Sequence, residues 1–157
     1  MTTERASECD IPELIRLRLA YLREDYGTLS AETEAQILRQ LPGYFSGHLN
    51  RDLFVFLCKD AARVIGCCFL LITEKPANPS FPGGKTGTVL NVYTEPAYRK
   101  RGIASQLMRS LLAQAAERGL DYVELQATDA GYALYRSLGF SDAVSAYHSM
   151  KYTFDRK

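Results

Sequence analysis

The sequence predicts an α+β fold with a mixed, mostly antiparallel central sheet and flanking helices. Three observations lead there. Two amphipathic helical stretches come first, and an antiparallel β-hairpin comes after them. The C-terminal half then reads strand, helix, strand, short helix and closing strand. A strand–helix–strand unit returns by a right-handed crossover and makes a parallel pair, so the sheet runs in both directions. At 157 residues, one domain spanning 1–157 is expected. A chain of that length buries about 68–70% of the surface it exposes when unfolded.

Each element has its own signal. Asp10-Ile11-Pro12-Glu13 reads as a helix start, an Asp cap with an acid three positions on. Ile11, Ile15, Leu19 and Leu22 then make an apolar stripe that should end near Gly27. Ser30 caps a second helix carrying Ile37, Leu38 and Leu41, which Pro42-Gly43 should interrupt before a further turn through Tyr44, Phe45 and Leu49. Leu53 to Lys59 and Val64 to Thr73 are β-runs joined by Asp60-Ala61-Ala62-Arg63. Lys75 to Lys85 holds three prolines and two glycines, so it is a loop, and nothing in its composition anchors it. Thr88 to Tyr93 is rich in strand-favouring residues. Ile103, Leu107 and Leu111, with Met108, Leu112 and Ala115 beside them, make one helix face that Gly119 should stop. Tyr122 to Ala127 reads as a strand, Ala130 to Leu138 as a short helix ended by Gly139, and Tyr147 to Phe154 as a closing strand.

Composition narrows the classes of function. The hydrophobic fraction is 46% and the charged fraction 24%, as in an ordinary soluble globule. A formal net charge of +1 supplies no global field for nucleic acid or an acidic membrane. No apolar run approaches the ~20 residues that span a bilayer, and Met1 to Ala6 lacks the apolar core of a signal peptide. A cytoplasmic protein with no nucleic-acid or membrane partner is therefore expected, with a homodimer left open. Cys9, Cys58, Cys67 and Cys68 show no metal-ligand spacing, and only His48 and His148 could join them. Buried thiols and no metal are the expectation.

The informative charge is local. Arg99, Lys100 and Arg101 stand immediately before a helix that opens with Gly102, Ile103, Ala104 and Ser105. A helix N-terminus carries N–H groups without intrahelical partners and the positive end of the macrodipole. Cations are electrostatically uncomfortable there unless an anion lies between them. Gly102 and Ala104 are small enough to let an anion reach the main chain. The segment reads as a phosphate cradle. Gly84-Lys85-Thr86 invites comparison with a nucleoside-triphosphate loop, but Pro79 stands where the first glycine belongs, and the residues after Thr86 are strand-like.

The same residues carry a family resemblance. R-x-x-G-x-A, here Arg99, Gly102 and Ala104, resembles the acyl-CoA pyrophosphate motif of the GNAT superfamily of N-acetyltransferases. Leu134-Tyr135-Arg136-Ser137-Leu138-Gly139-Phe140 is similar to its second signature, a short helix with L-G-F after it. The likeness covers residues 50–157 well and the first fifty by general layout. It implies acetyl-CoA as the acyl donor, a small-molecule or peptide amine as acceptor, and direct attack of that amine on the thioester. It implies that the parallel strands splay apart, with the pantetheine arm hydrogen-bonded to the main chain of Leu90, Asn91, Val92 and Tyr93. The pyrophosphate would lie on Arg99, Lys100, Arg101, Gly102, Ile103, Ala104 and Ser105.

By the same resemblance Tyr135 protonates the leaving thiolate, for which a phenol of pKa about 10 beside a thiol near 8.5 is suited. A core aromatic is the plainer reading of Tyr135, since Leu134 and Leu138 flank it. A general base is not legible. Many family members place a Glu on or near the central strand, where this chain has Asn91. Glu74, Glu95 or a water relay are the candidates. That missing acid is the support for an alternative function, a non-catalytic acyl-CoA-binding sensor or regulatory module. Glu24, Asp25, Glu32 and Glu34 around Gly27 make an acidic rim, read as a solvated face or as an attraction for a cationic amine.

Overall fold

Five strands form one sheet in chain order, β1 (Thr2–Arg5), β2 (Leu53–Asp60), β3 (Arg63–Glu74), β4 (Lys85–Thr94) and β5 (Val123–Glu124). The structure, a computed structural model, describes residues 1–155. The first three pairings are antiparallel and β4–β5 is parallel, so the mixed sheet is as expected. The helices are α1 (Ile11–Tyr26), α2 (Ala31–His48), α3 (Ile103–Glu117) and α4 (Asp129–Ser137). The chain divides into two units, residues 1–126 and a second beginning at Ala127, so α4 belongs to the second.

β2 is buried from Leu53 to Cys58 without alternation, because both of its faces are covered. On one face Leu53, Val55 and Leu57 join Leu14 and Leu17 of α1 and Leu41 and Phe45 of α2. Alternation sends Phe54 to the other face, where Arg118 at the end of α3 lies over its ring at 3.9 Å. The buried face of α3 is Ile103, Leu107, Met108, Leu111 and Ala115, as its spacing predicts. Gly119 (φ 68) ends that helix, with the Leu120 N–H donating to the Ala115 carbonyl at 3.2 Å.

Several sequence expectations need correcting. α1 buries Leu14 and Leu17 completely and leaves Ile11 and Ile15 half-buried. Its buried arc is wide because it packs on α2, β3 and β4 together. Asp10 does not cap α1 through its side chain. Its carboxylate accepts from the Ser7 N–H (2.8 Å) and from Lys59 (3.0 Å) instead. Pro42 does not interrupt the second helix, which runs through to His48. Leu41 and Phe45 are anchored in the core on either side of it. The carbonyl that loses its donor belongs to Leu38, which is exposed. The edge strand β1 leaves no pattern in the sequence, being four residues with no apolar alternation.

The loop from Lys75 is tethered, contrary to its composition. Asn78 and Phe81 form a bridge, Gly83 N–H donates to Asp121 Oδ2 at 2.9 Å, and Lys75 lies 4.2 Å over the Phe81 ring. Lys85 and Thr86 are the first residues of β4, and Thr86 is buried, so no phosphate loop stands there. Cys58, Cys67 and Cys68 are buried thiols as expected, but Cys9 is exposed.

The C-terminal strands differ most. Tyr122 to Ala127 contributes only Val123 and Glu124 to the sheet, paired with Gly87 and Thr88. Tyr147 to Phe154 forms no strand, and Tyr147, Met150, Tyr152 and Phe154 are exposed. Alternating apolar residues satisfy a strand pattern, but a strand also needs a partner edge, and β5 ends after two residues.

Candidate functional site

β4 changes character at Asn91. Cys67 pairs with Tyr93 and Phe69 with Leu90, so two steps on β3 oppose three on β4. The extra residue makes a bulge, and Asn91 takes φ 52, a left-handed conformation that Asn tolerates better than most residues. A bulge bends its strand, and this one begins three residues past Thr88, the last position paired with β5. From Val89 to Thr94 the β5 side of β4 has no strand partner among the described residues. The main chain of Leu90, Asn91, Val92 and Tyr93 thus lies beyond the last residues that β4 pairs with β5.

The Asn91 side chain is buried, with its amide 3.5 Å from Cys67 Sγ and its Oδ1 accepting from Arg18 Nη1 at 3.2 Å. Burial pushes the Cys67 thiol up to about 12, against the hydrogen bond to Asn91 that lowers it, so Cys67 is no nucleophile near neutrality. At the end of β4 the Thr94 hydroxyl is buried without a hydrogen-bond partner.

The cradle is built on two left-handed residues, Lys100 (φ 63) and Gly102 (φ 78). Gly102 caps α3 without a side chain, and no atom lies within 4 Å of where its Cβ would stand. The first bond of the helix ladder runs from the Gln106 N–H to the Gly102 carbonyl at 3.1 Å. The N–H groups of Ile103, Ala104 and Ser105 therefore have no intrahelical partner.

Of the three cations, Arg99 is engaged elsewhere. Its Nη2 meets Glu24 at 2.6 Å and its Nε donates to the Thr94 carbonyl at 2.8 Å, which ties the strand end to α1. Arg101 lies 5.3 Å over the Tyr98 ring. Among the described residues no ion pair engages Lys100 or Arg101, which leaves two charges at the cradle where the sequence suggests three. The acidic rim is partly consumed too, since Glu24 holds Arg99 and Glu34 holds Arg23.

Neither carboxylate candidate fits a base. The Glu95 side chain is only 13% exposed and takes Arg16 at 2.7 Å and Arg63 at 2.9 Å. Burial raises its pKa, but the hydrogen bonds from Arg63 and Arg16 outweigh that and hold it below the ordinary carboxyl value. A carboxylate so held gives up proton affinity. Glu74 pairs with Lys85, five residues before Leu90 along β4, roughly 17 Å at strand rise. It lines a cavity of about 560 Å³ with Arg51, Asp52 and Arg118 at that far end of the sheet.

Tyr135 lies in the second unit, on α4, whose N-cap Thr128 accepts from the Gly131 N–H at 3.2 Å. The L-G-F signature has a local explanation. Gly139 (φ 101) reverses the chain, and the Phe140 N–H donates to the Tyr135 carbonyl at 3.0 Å. Phe140 thereby packs edge-on against the Tyr135 ring, centroids 6.0 Å apart. Gly131 leaves that ring its room, because a Cβ there would stand 2.8 Å from Tyr135 Cε2.

One residue at the bulge has no sequence signature at all. Arg18 is one of several charged residues on α1, and only the fold brings it to the bulge. No helix among the described residues is long and apolar enough to cross a membrane, and no group of three His, Cys, Asp or Glu able to hold a metal ion occurs among them.

Solved structures share this fold. A predicted acetyltransferase from Clostridium acetobutylicum, solved with acetyl-CoA, superposes with a TM-score of 0.82 at 24% identity, over 96% of this chain and 95% of that one. A GCN5-related N-acetyltransferase from Ralstonia eutropha JMP134 gives 0.75 at 27% identity, over 95% and 97%. A ribosomal-protein-alanine N-acetyltransferase from Brucella melitensis biovar Abortus 2308 gives 0.66 at 18% identity, over 98% and 100%. No curated protein matches the chain. The sequence model of the acetyltransferase (GNAT) family matches residues 11–140, a span that takes in the bulged strand, the cradle and the L-G-F turn alike, and the chain belongs to that family.

Proposed function

We propose that residues 1–157 act as one N-acetyltransferase domain that moves an acetyl group from acetyl-CoA to a primary amine by direct attack on the thioester. The observation that carries this is the open space at Gly102, the cap of a helix whose first three N–H groups lack intrahelical partners and which two cations, Lys100 and Arg101, immediately precede. Ile103, Ala104 and Ser105 would hold the pyrophosphate through their N–H groups, with Gly102 giving access and Lys100 and Arg101 adding charge. Arg99 acts one step removed, fixing the end of β4 against α1. Past Thr88 the β5-side edge of β4 has no strand partner among the described residues, and there the main chain of Leu90, Asn91, Val92 and Tyr93 would hydrogen-bond the pantetheine arm in the manner of an added strand.

The chemistry asked of the protein is modest. Holding amine and thioester together supplies much of the rate, and main-chain N–H groups of β4 polarise the carbonyl as its oxygen gains charge. A C–N bond forms, the C–S bond breaks, and the amine gives up a proton to water, since neither Glu74 nor Glu95 is suited to take it. Tyr135 donates its phenolic proton to the departing thiolate, a role that rests on the L-Y-x-x-L-G-F motif.

Release of free thiol from acetyl-CoA, measured with and without a panel of primary amines, tests the proposal. Amine-dependent thiol with matching acetylated amine is the expected result. Binding of acetyl-CoA with no thiol release above buffer, for any amine, would make the protein a sensor instead.

A further inference from the structure

We infer that Arg18 selects the acceptor, and that the acceptor is an amine carrying a carboxylate. The inference rests on the acetyl-transfer reading above and names the substrate class of that site. Four arginines on or around α1 are matched to acids. Arg16 has Glu13 and Glu95, Arg23 has Glu34, Arg63 has Glu95, and Arg99 has Glu24. Arg18 is half-buried and has no carboxylate within ion-pair distance among the described residues. Its contacts are the Asn91 amide oxygen at 3.2 Å and the Tyr21 ring at 5.9 Å. A guanidinium offers five N–H donors in a planar fork suited to a carboxylate, and here one hydrogen bond is made. A partly buried cation without an anion is costly unless something supplies one.

Its position gives that anion a purpose. An acyl group lying along Leu90 to Tyr93 can be approached across one face of the sheet or the other. The α3 face is packed beside the end of this stretch: Gly66, the partner of Thr94, would bring a Cβ to 3.2 Å from Ile103 Cγ2 and 3.5 Å from Leu107 Cδ1. On the α1 face, Leu90 is exposed, Tyr93 is half-buried, and Arg18 reaches the bulge itself. The guanidinium reaches from the Tyr21 ring on its own helix to the Asn91 side chain on β4. An amine arriving there meets a cation, so a simple polyamine is repelled. An amine with a carboxylate nearby is held by that group while its nitrogen faces the strand.

The test uses the twenty amino acids and their carboxamides as acceptors, with wild-type protein, Arg18→Gln and Arg18→Lys. Wild type should favour acids over amides in kcat/KM by on the order of tenfold or more, the scale of a charged hydrogen bond. Arg18→Gln should bring that ratio near one, chiefly through KM, while Arg18→Lys keeps part of it. Calorimetry should show acetyl-CoA affinity unchanged in both variants and amino-acid binding weakened in Arg18→Gln. Equal use of acids and amides by wild type overturns the inference without any variant, as does a preference that survives Arg18→Gln. Acetyl-CoA turnover with amines that carry no carboxylate, and not with the acids, overturns it too. Failure of wild type to bind acetyl-CoA would instead sink the acetyl-transfer reading beneath it.

Discussion

Gly102→Val lowers acetyl-CoA affinity by more than tenfold, about 1.4 kcal/mol or more, in a protein that still folds. The backbone there sits at φ 78 and no atom lies within 4 Å of the glycine Cβ position. The Cβ of a valine therefore meets no clash with the rest of the fold. The valine meets strain, on the order of 1–3 kcal/mol for a β-branched residue in the left-handed region, and at the proposed site it would crowd an anion held by the Ile103, Ala104 and Ser105 N–H groups. Gly102→Ala shares the strain with a smaller obstruction, so its loss of affinity should be smaller. Calorimetric titration of both variants, with circular dichroism to confirm folding, separates the two contributions. Unchanged affinity in a folded Gly102→Val protein would mean that the phosphates lie elsewhere.

Tyr135→Phe should lower turnover by roughly 10²–10⁴, the span a general acid commonly supplies, with little change in acetyl-CoA affinity. The ring packs on Phe140 at 6.0 Å and fits the space that Gly131 leaves, and phenylalanine keeps both relations. Only the hydroxyl is removed, and under the proposed role it matters as the thiolate forms. A second signature separates this from a packing defect: the deficit should shrink when the leaving group is a more acidic thiol, which needs no proton. Wild-type turnover in the variant would return Tyr135 to the status of a packed aromatic.

The sequence discloses those parts of this fold that short-range chemistry determines. The face of α3 is legible because Ile103, Leu107, Met108, Leu111 and Ala115 obey helical spacing and meet one buried surface. The hairpin is legible because two apolar runs flank a short polar turn. Pro42 misleads because the cost of a missing N–H is local, whereas the anchoring of Leu41 and Phe45 that offsets it is tertiary. The closing strand misleads for the converse reason, since Tyr147 to Phe154 carries a strand pattern and finds no partner among the described residues.

The candidate site divides along the same line. Gly102 and the cations around it are contiguous, so their meaning can be read from order alone. That Arg99 is spent on Glu24, 75 positions away, cannot. Glu95 has the local sequence of a turn residue, and its ion pairs come from Arg16 and Arg63 on two other elements. Asn91 stands out in the sequence as the place of a missing acid. Its bulge and its contact with Arg18 are products of strand register and helix docking, which leave no trace in spacing.

Backbone amide shifts on titration with acetyl-CoA test the central claim most directly. The account predicts large changes at Leu90 to Tyr93 and at Gly102 to Ser105, two stretches joined by one ligand, and little change from Lys75 to Gly84 at the opposite end of β4. Changes confined to the Lys75–Gly84 end, with the Gly102 to Ser105 amides unmoved, would contradict it.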